Sequence, residues 1–350
     1  MRFTSATRLI EDAVRARAFP AAAIEVGDAT QPLWQQAFGR LTFDADAPPA
    51  TQDTVFDLAS LTKVIATTPL LMQQLERGTI ALDEAVQRYF VQWRDAFQAR
   101  ATVRDLLSHS SGLPAYAPLY QSHHGRAAFE REICTIPRAY RPRSTSLYSD
   151  LGFILLGFLL NHELALSRRF DALRAQMGVV EDLQYKPPSQ WSRRIAPTEV
   201  DPWRRRLLVG DVHDENCAAL NGVAGHAGLF GTATAVGACA RHVLQVLDGR
   251  TGAFSQETLR SFIARRTEVP GSSRALGWDT MLPTSSCGSR LSPRAFGHTG
   301  FTGTSLWIDP DRGIYVVFLT NRVHPTRSNE AIRHVRPAVH DAVVEGLGGP

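Results

Sequence analysis

The chain has 350 residues, of which 44% are hydrophobic, and it carries a formal net charge of +4 at pH 7. This composition is typical of a globular protein with a substantial core, and it excludes the intrinsically disordered and fibrous classes. Acidic residues occur along the whole length, so the mild positive charge does not indicate a nucleic-acid-binding stripe. No apolar run is long enough to predict a membrane span.

The N-terminus and the cysteines bear on the cellular compartment. The first residues lack the apolar stretch of about 7–15 residues that marks a signal peptide. The sequence as written therefore predicts a cytoplasmic protein, or an exported one if a leader has been removed. The cysteines are scattered without C-x-x-C spacing, which predicts buried thiols and neither a disulfide framework nor a zinc site. They are Cys134, Cys217, Cys239 and Cys287.

The N-terminal segment predicts a helix followed by a β-hairpin. Apolar residues recur at helical spacing over 5–17, which predicts an amphipathic helix that ends before Pro20. The runs 21–26 and 33–38 are separated by a turn-rich segment at 27–30 and predict an antiparallel hairpin.

The remaining elements divide into a helical middle and a C-terminal group of strands. From residue 60 to about 265 the patterns are mostly helical. Short β-branched and aromatic runs then predict strands at 295–299, 304–308 and 314–320, and a final helix is expected over about 329–345.

Strands at both ends of the chain with helices between them predict an α+β fold. We expect one antiparallel sheet built from both termini, with flanking helices and an inserted all-helical region. The chain would form a single domain over 1–350. Its α/β lobe would comprise about 1–62 and 266–350, and its mostly helical lobe about 63–265.

The strongest chemical signal is Ser60 followed three residues later by Lys63, at the start of an apolar segment. On a helix the two side chains share a face. A serine needs a neighbouring base to become a nucleophile, and a desolvated lysine amine can be one. The chain has only two lysines, Lys63 and Lys186, among 38 basic residues. Arginine cannot lose its proton in a protein whereas lysine can, so a lysine at this position favours proton transfer.

Four motifs in order resemble those of the class C β-lactamase-related serine hydrolases. That family includes class C β-lactamases, D-stereospecific peptidases and carboxypeptidases, and similar carboxylesterases. The motifs are FDLASLTK at 56–63, LLSHSSGLP at 106–114, YSD at 148–150 and GHTG at 297–300. The resemblance covers about residues 18–322. It implies a β-lactamase/transpeptidase-like fold and an acyl-enzyme mechanism, for which we expect neither a metal nor another cofactor.

The resemblance also implies catalytic roles. Ser60 would be the nucleophile, and Tyr148 would act beside it and Lys63 as general base for acylation and proton donor to the leaving group. A phenol has an ordinary pKa near 10, so this role requires a cationic neighbour, which Lys63 would supply. The backbone N–H groups of Ser60 and Phe301 would form the oxyanion hole.

The fourth motif and two departures from the family pattern concern the substrate. Gly300 leaves the backbone open to a ligand, and His298 and Thr299 would bind a substrate carboxylate or assist the proton relay. Asp150 stands where asparagine is usual, so it should raise the pKa of Lys63, shift the role of base to Tyr148, and repel a nearby substrate carboxylate. His298 stands where lysine is common and weakens a fixed positive charge. Both departures favour peptidase or esterase relatives over efficient β-lactam hydrolysis.

Further segments resemble a subgroup whose members are often described as D-alanyl-D-alanine carboxypeptidases. They are 194–199, 212–216 and 222–229. Glycines in the last segment bracket His226 in a loop that can approach a cleft. His226 would contact the substrate, or the loop would be a plain structural turn. His213, Asp214 and Glu215 do not predict a metal site, because consecutive residues rarely face one ion and H-E-x-x-H is absent.

The sequence therefore predicts a serine hydrolase that acts on amide or ester carbonyls through an acyl-enzyme. A D-amino-acid peptidase or carboxypeptidase-like activity and a carboxylesterase activity are the favoured forms. The alternatives are a β-lactamase and a catalytically degenerate penicillin-binding-like protein. An α/β-hydrolase is excluded because no G-x-S-x-G elbow is present. The expected partner is a small-molecule or peptide substrate and not a nucleic acid, and no pattern indicates the oligomeric state.

Overall fold

The computed structural model describes residues 2–94, 100–161 and 164–348. Its α-helices are α1 Thr4–Arg15, α2 Thr68–Glu76, α3 Val86–Tyr89, α4 Val103–Leu107, α5 Gly125–Thr135, α6 Asp150–Leu160, α7 Leu166–Gln176, α8 Glu215–Ala219, α9 Ala233–Leu247, α10 Gln256–Ile263 and α11 Ile332–Gly346. Its strands are β1 Ala21–Asp28, β2 Pro32–Gly39, β3 Phe56–Asp57, β4 Leu183–Tyr185, β5 Val200–Asp201, β6 Arg206–Leu207, β7 Leu229–Gly231, β8 Asp279–Thr280, β9 Phe296–Thr299, β10 Ser305–Asp309 and β11 Ile314–Thr320. A π-helical turn, Lys63–Thr67, precedes α2.

The main sheet joins the two ends of the chain, as the sequence predicts. Its strand order is β2-β1-β11-β10-β9-β8, and neighbouring strands are antiparallel. In the β1–β11 pair, Ile24 lies opposite Phe318 and Ala23 lies opposite Leu319. The N-terminal hairpin thus forms one edge of the sheet, where β1 pairs with the C-terminal strand β11.

Both faces of the sheet are covered, which explains why β1 is apolar at nearly every position. Because side chains alternate across a strand, Ile24 and Phe318 pack with residues of α1 and α11. Ala23 and Leu319 belong to the cluster on the opposite face, where α9 packs against β1 and β11.

The region predicted to be helical also contains short strands. β7 and β4 form a three-stranded sheet with β3, which lies just before that region, and β5 pairs with β6. These strands are two or three residues long, which is too short to produce a recognisable alternation of apolar and polar residues. The small β3-β7-β4 sheet matters for the site, because β3 ends three residues before Ser60.

A close backbone approach brings the 222–229 loop beneath the π-helical turn. A Cβ atom added to Gly157 of α6 would lie 2.6 Å from the backbone nitrogen of Gly225, and one added to Gly225 would lie 2.2 Å from the carbonyl oxygen of Phe153. Only glycine fits at this crossing. On the other side of the loop, the hydroxyl of Thr67 donates to the carbonyl of Gly225 at 2.6 Å.

All four cysteines are free and buried, as predicted. Among the helices of the described ranges, none combines the length and apolar character that a membrane span requires.

Candidate active site

Ser60 lies at a sharp bend between β3 and the π-helical turn. The preceding residue, Ala59, has a φ of +47°, a left-handed conformation that costs a residue with a Cβ atom about 1–2 kcal/mol. The buried Asp57 carboxylate supports this bend by accepting hydrogen bonds from the backbone N–H of Ala59 at 2.8 Å and of His213 at 2.7 Å. The local strain and its support present the Ser60 side chain to a cavity.

Lys63 is completely buried and directs its amine at three acceptors. Its Nζ atom lies 2.9 Å from Ser60 Oγ, 2.7 Å from Asp150 Oδ1 and 3.0 Å from the carbonyl oxygen of His226. Burial alone would lower the pKa of Lys63. The attraction of the Asp150 carboxylate and the contact with Tyr148 outweigh burial and raise that pKa. The prediction that Asp150 holds Lys63 as an ammonium is confirmed in direction.

Tyr148 approaches the same serine from a different element. Its hydroxyl donates to Ser60 Oγ at 2.8 Å, and the Lys63 ammonium lies 5.0 Å from the ring centroid. Burial raises the pKa of Tyr148, Lys63 lowers it, and Asp150 raises it again, so that the result is above the ordinary value. Lys63 does supply the expected stabilising charge, but its lowering of the Tyr148 pKa is smaller than the raising by burial and Asp150. Ser60 Oγ therefore accepts hydrogen bonds from the Tyr148 phenol and the Lys63 ammonium. In these protonation states neither group can accept the proton of Ser60.

The two residues whose N–H groups were expected to form the oxyanion hole, Ser60 and Phe301, both line the cavity. In the described part of the chain, neither Ser60 nor Phe301 donates its N–H to a protein acceptor. The turn that carries Phe301 is tied to the strand before Ser60, because the Thr302 hydroxyl donates to the carbonyl of Asp57 at 2.7 Å. A Cβ atom on Gly300 would lie 2.7 Å from the carbonyl oxygen of Leu58, so glycine is required for this approach.

His298 lies in the cavity wall as an uncharged imidazole. Burial, Lys63 and Arg274 lower its pKa well below the ordinary histidine value. Its Nδ1 atom is 2.8 Å from the carbonyl oxygen of Thr299. A carbonyl only accepts, so Nδ1 carries the proton and Nε2, which is buried without a hydrogen-bond partner, is an acceptor. An acceptor repels a carboxylate. This tautomer therefore does not favour the expected contact of His298 with a substrate carboxylate. Thr299 is half-buried and also lines the cavity.

The ring of His226 lies behind the cavity wall. It is 1% exposed, and its Nε2 atom is 2.8 Å from Asp214 Oδ1. The wall itself is formed here by Asp214 and Ala227. The structure thus does not place the His226 side chain where a substrate would touch it. What His226 contributes to the site is its backbone carbonyl, which accepts a hydrogen bond from Lys63.

Three consecutive residues in the 212–216 segment have separate partners. His213 Nε2 lies 2.9 Å from Glu199, and its ring stacks on Phe301 with 5.6 Å between ring centroids. Asp214 bonds His226, and Glu215 accepts from Arg327 at 2.6 Å. Within the ranges that the structure describes, no group of three or more histidine, cysteine, aspartate or glutamate residues could hold a metal ion.

The cavity has a volume of about 670 Å³ and unites most of the predicted site residues. Ser60, Tyr148, Asp150, His298, Thr299, Gly300 and Phe301 all line it. The sequence did not single out its arginines, which are Arg274, Arg322, Arg327, Arg333 and Arg336. No sequence signal distinguishes these five from the other arginines of the chain.

Two of these arginines are nearly buried without an acidic partner. Among the described residues, no carboxylate lies within ion-pair distance of Arg322 or Arg336. Arg322 donates to backbone carbonyls, including that of Phe301 at 2.8 Å. Arg336 donates to the carbonyl of Thr304 at 3.3 Å. Burial and the charge of Arg322 lower the pKa of Arg336 to about 10. An anionic ligand would relieve the repulsion between these two guanidinium groups.

Comparisons with known proteins agree on family and fold. A family model described as Beta-lactamase matches residues 6–340. An Escherichia coli K12 protein named "Putative D-alanyl-D-alanine carboxypeptidase" is 30% identical over 317 residues, which cover 79% of this chain and 70% of that protein. The solved structure of "EstCE1, a hydrolase with promiscuous acyltransferase activity" superposes with a TM-score of 0.77 at 19% identity and covers 97% of both chains. An octameric penicillin-binding protein homologue from Pyrococcus abyssi gives a TM-score of 0.76 at 18% identity, over 98% of this chain and 77% of the other. The predicted β-lactamase/transpeptidase-like fold is confirmed.

Proposed function

We propose that this chain, which belongs to the β-lactamase family and is a serine hydrolase, uses Ser60 as its nucleophile. One observation carries the proposal: Ser60 Oγ lies 2.9 Å from Lys63 Nζ and 2.8 Å from the Tyr148 hydroxyl at the wall of a cavity. A hydroxyl within hydrogen-bond reach of two groups that can exchange a proton is the arrangement an activated serine requires.

Acylation begins when the Lys63–Tyr148 pair has lost one proton. The Ser60 proton moves to the Tyr148 phenolate as Ser60 Oγ forms a bond to the substrate carbonyl carbon. The carbonyl oxygen becomes an oxyanion, which the N–H groups of Ser60 and Phe301 stabilise. Tyr148 then donates its proton to the leaving amine or alkoxide as the carbonyl–heteroatom bond breaks. An acyl-Ser60 ester remains, and Tyr148 is again a phenolate.

Deacylation repeats these steps with water. The Tyr148 phenolate accepts a proton from the water, whose oxygen attacks the ester carbonyl carbon. Collapse of the second oxyanion breaks the bond to Ser60 Oγ, which takes back the proton from Tyr148. Lys63 remains an ammonium and stabilises the phenolate in both steps.

For the substrate we propose peptides that end in a D-amino acid with a free carboxylate, such as D-alanyl-D-alanine peptides. The names of the curated relatives support this class. So do Arg322 and Arg336, which offer two guanidinium groups without acidic partners to an anionic group in the cavity. Arginine suits this purpose because its planar fork matches a carboxylate.

A short-chain ester is the second candidate. It is favoured by the uncharged His298 and by the Asp150 carboxylate, since neither attracts an anionic group to the immediate surroundings of Ser60. An ester also has a better leaving group than an amide and demands less of Tyr148 as a proton donor.

The test measures the turnover of three substrates and covalent labelling by two probes. The purified protein is assayed with a D-alanyl-D-alanine peptide, a p-nitrophenyl short-chain ester and nitrocefin, and it is labelled with a fluorophosphonate and a fluorescent penicillin. We expect Ser60→Ala to abolish labelling and turnover, whereas Ser261→Ala on α10 leaves both intact. Labelling that persists in Ser60→Ala would refute the proposed nucleophile. Faster turnover of the ester than of the peptide at equal concentration would select the second candidate.

A further inference from the structure

The LLSHSSGLP motif at 106–114 is not accounted for by the proposed chemistry. In the structure it runs beside the segment that carries Tyr148. The N–H of Leu147 donates to the carbonyl of His109 at 2.9 Å, and the N–H of Asp150 donates to the carbonyl of Ala115 at 3.1 Å. The hydroxyl of Ser149 donates to the carbonyl of Pro114 at 2.7 Å. The residues on both sides of Tyr148 are therefore bound to this one loop.

His109 makes the most contacts in the loop. Its Nδ1 atom accepts from the N–H of Ser149 at 3.1 Å, while its backbone carbonyl accepts from Leu147 and, at 3.0 Å, from the hydroxyl of Tyr140. The imidazole is 2% exposed and packs between two aromatic rings, with centroid distances of 4.7 Å to Tyr148 and 5.2 Å to Phe153.

The backbone of His109 is in a conformation that most residues avoid. Its φ is +55°, and a strained backbone of this kind persists only where surrounding contacts hold it. The strain lets one residue meet the Tyr148 segment with both its carbonyl and its ring. Because burial, Arg274, Lys63 and His298 lower the pKa of His109 well below the ordinary value, Nδ1 remains an acceptor at neutral pH.

We infer that His109 is a positioning residue that sets the orientation of the Tyr148 phenol against Ser60. It touches neither Ser60 nor the cavity and acts through the backbone of Ser149 and the face of the Tyr148 ring. The inference rests on the proposed roles of Ser60 and Tyr148. It adds that the geometry of proton transfer depends on a side chain outside the cavity.

Two substitutions separate the contacts of His109. His109→Asn keeps an acceptor near the Nδ1 position and tolerates a positive φ, but it removes the ring that packs on Tyr148. His109→Phe keeps a ring and leaves the N–H of Ser149 buried without an acceptor. We expect the acylation rate to fall roughly tenfold in the first variant and roughly a hundredfold in the second, since misplacing a reacting group by about 1 Å costs about that much. KM should change less than about threefold.

A second buried histidine provides a matched control. His242 of α9 accepts from the N–H of Ala253 at 3.1 Å through Nε2, and its ring packs on Phe254 at 5.6 Å. It thus holds a loop as His109 does, but the loop that it holds, 248–255, contributes no residue to the cavity wall, whereas the segment held by His109 contributes Tyr148 and Asp150. His242→Asn should lower the unfolding midpoint and leave the acylation rate and its pH profile unchanged.

The deciding measurement is a double-mutant cycle with Tyr148→Phe, read as the single-turnover rate of fluorophosphonate labelling. If His109 acts through Tyr148, His109→Asn slows labelling in the wild-type chain and has little further effect in Tyr148→Phe. The inference would be overturned if His109→Asn reduced the labelling rate by the same factor in the wild-type and Tyr148→Phe chains. It would also be overturned if His109→Asn alone kept the labelling rate within twofold of wild type at every pH. If His109→Phe does not fold, His109→Asn and the cycle still decide. Persistent labelling of Ser60→Ala would instead refute the proposed function.

Discussion

Replacing Asp150 with asparagine should accelerate the acylation of Ser60, although it removes a partner of Lys63. The Asp150 carboxylate lies 2.7 Å from Lys63 Nζ. It raises the pKa of Lys63 and also that of Tyr148. Whichever of these two groups gives up the proton, the negative charge of Asp150 makes that loss harder. A neutral amide of the same shape removes the charge and leaves the geometry.

The size of the effect follows from the distance and the burial. A charge within about 4–6 Å of a titrating group changes its pKa by about 1–3 units. Lys63 is fully buried, but the Asp150 side chain is 20% exposed, so solvent screens part of the interaction and we take the lower end. At a pH below the pKa of the Lys63–Tyr148 pair, lowering that pKa by one unit increases the deprotonated fraction of the pair about tenfold. At pH 7 we therefore expect acylation of the variant to be about tenfold faster.

The assay measures the single-turnover acylation rate against pH with a fluorescent penicillin and an uncharged p-nitrophenyl ester. The alkaline rise of the rate should begin at lower pH in Asp150→Asn. Asp279→Asn is the matched control, because Asp279 also lines the cavity, is 24% exposed and pairs with Arg274 instead of Lys63. An unchanged or slower rate in Asp150→Asn, or an equal gain in Asp279→Asn, would refute the charge argument.

The same variant should lose stability, with a defined pH dependence. Breaking a buried ion pair costs about 3 kcal/mol at the low end of the known range, which applies here because Asp150 is partly exposed. The pKa of Lys63 is raised by folding. The contribution of the Lys63–Asp150 ion pair to the free energy of unfolding is thus complete below the ordinary lysine pKa of about 10.4. It is lost as the pH rises through the raised pKa of Lys63 in the folded protein. Urea unfolding at pH 7 and above pH 10.5 should show the two proteins converging at the higher pH.

Three further predictions concern the base, the substrate and the fold. Tyr148→Phe should slow acylation at least about a hundredfold, within the range for general acid–base catalysis, and should abolish the alkaline rise. Arg336→Met should lower, by about tenfold or more, the ratio of kcat/KM for a peptide acid to that for its C-terminal amide, because it removes a charged hydrogen bond; an unchanged ratio would contradict the proposed anion contact. Gly237→Ala should lower the free energy of unfolding by about 2 kcal/mol, since the added Cβ would lie 1.8 Å from Oε1 of the buried Glu25. Denaturant titration measures this free energy, and an unchanged or higher value would contradict the prediction.

The sequence was sufficient for the architecture because the terminal strands are long and apolar. The 21–26 and 314–320 runs have strong strand signals and pair as β1 and β11. The short strands β4 and β7 could not be predicted, since three residues carry no periodicity. The packing of α9 on the sheet depends on contacts between distant parts of the chain, about which local pattern carries no information.

At the site, residue types were easier to predict than charge states. Ser60, Lys63, Tyr148 and Asp150 meet within hydrogen-bond distance, and the direction of the Lys63 shift followed from Asp150 alone. The raised pKa of Tyr148 could not be anticipated, because its largest cause is burial. The acceptor character of His298 likewise depends on a backbone carbonyl that only the fold brings to Nδ1.

These charge states together explain how one substitution in a family motif can govern the whole site. Lys63 and Arg274 lower the pKa of the His298 imidazole, which stays neutral and adds no positive charge beside Tyr148. The phenolate that the proposed mechanism needs would then be stabilised largely by Lys63, whose charge Asp150 opposes at 2.7 Å. An amide at this position would leave the Lys63 charge unopposed. On the proposed mechanism, we therefore expect Asp150 to restrict the active state to higher pH and to favour substrates whose leaving groups need little help from a proton donor.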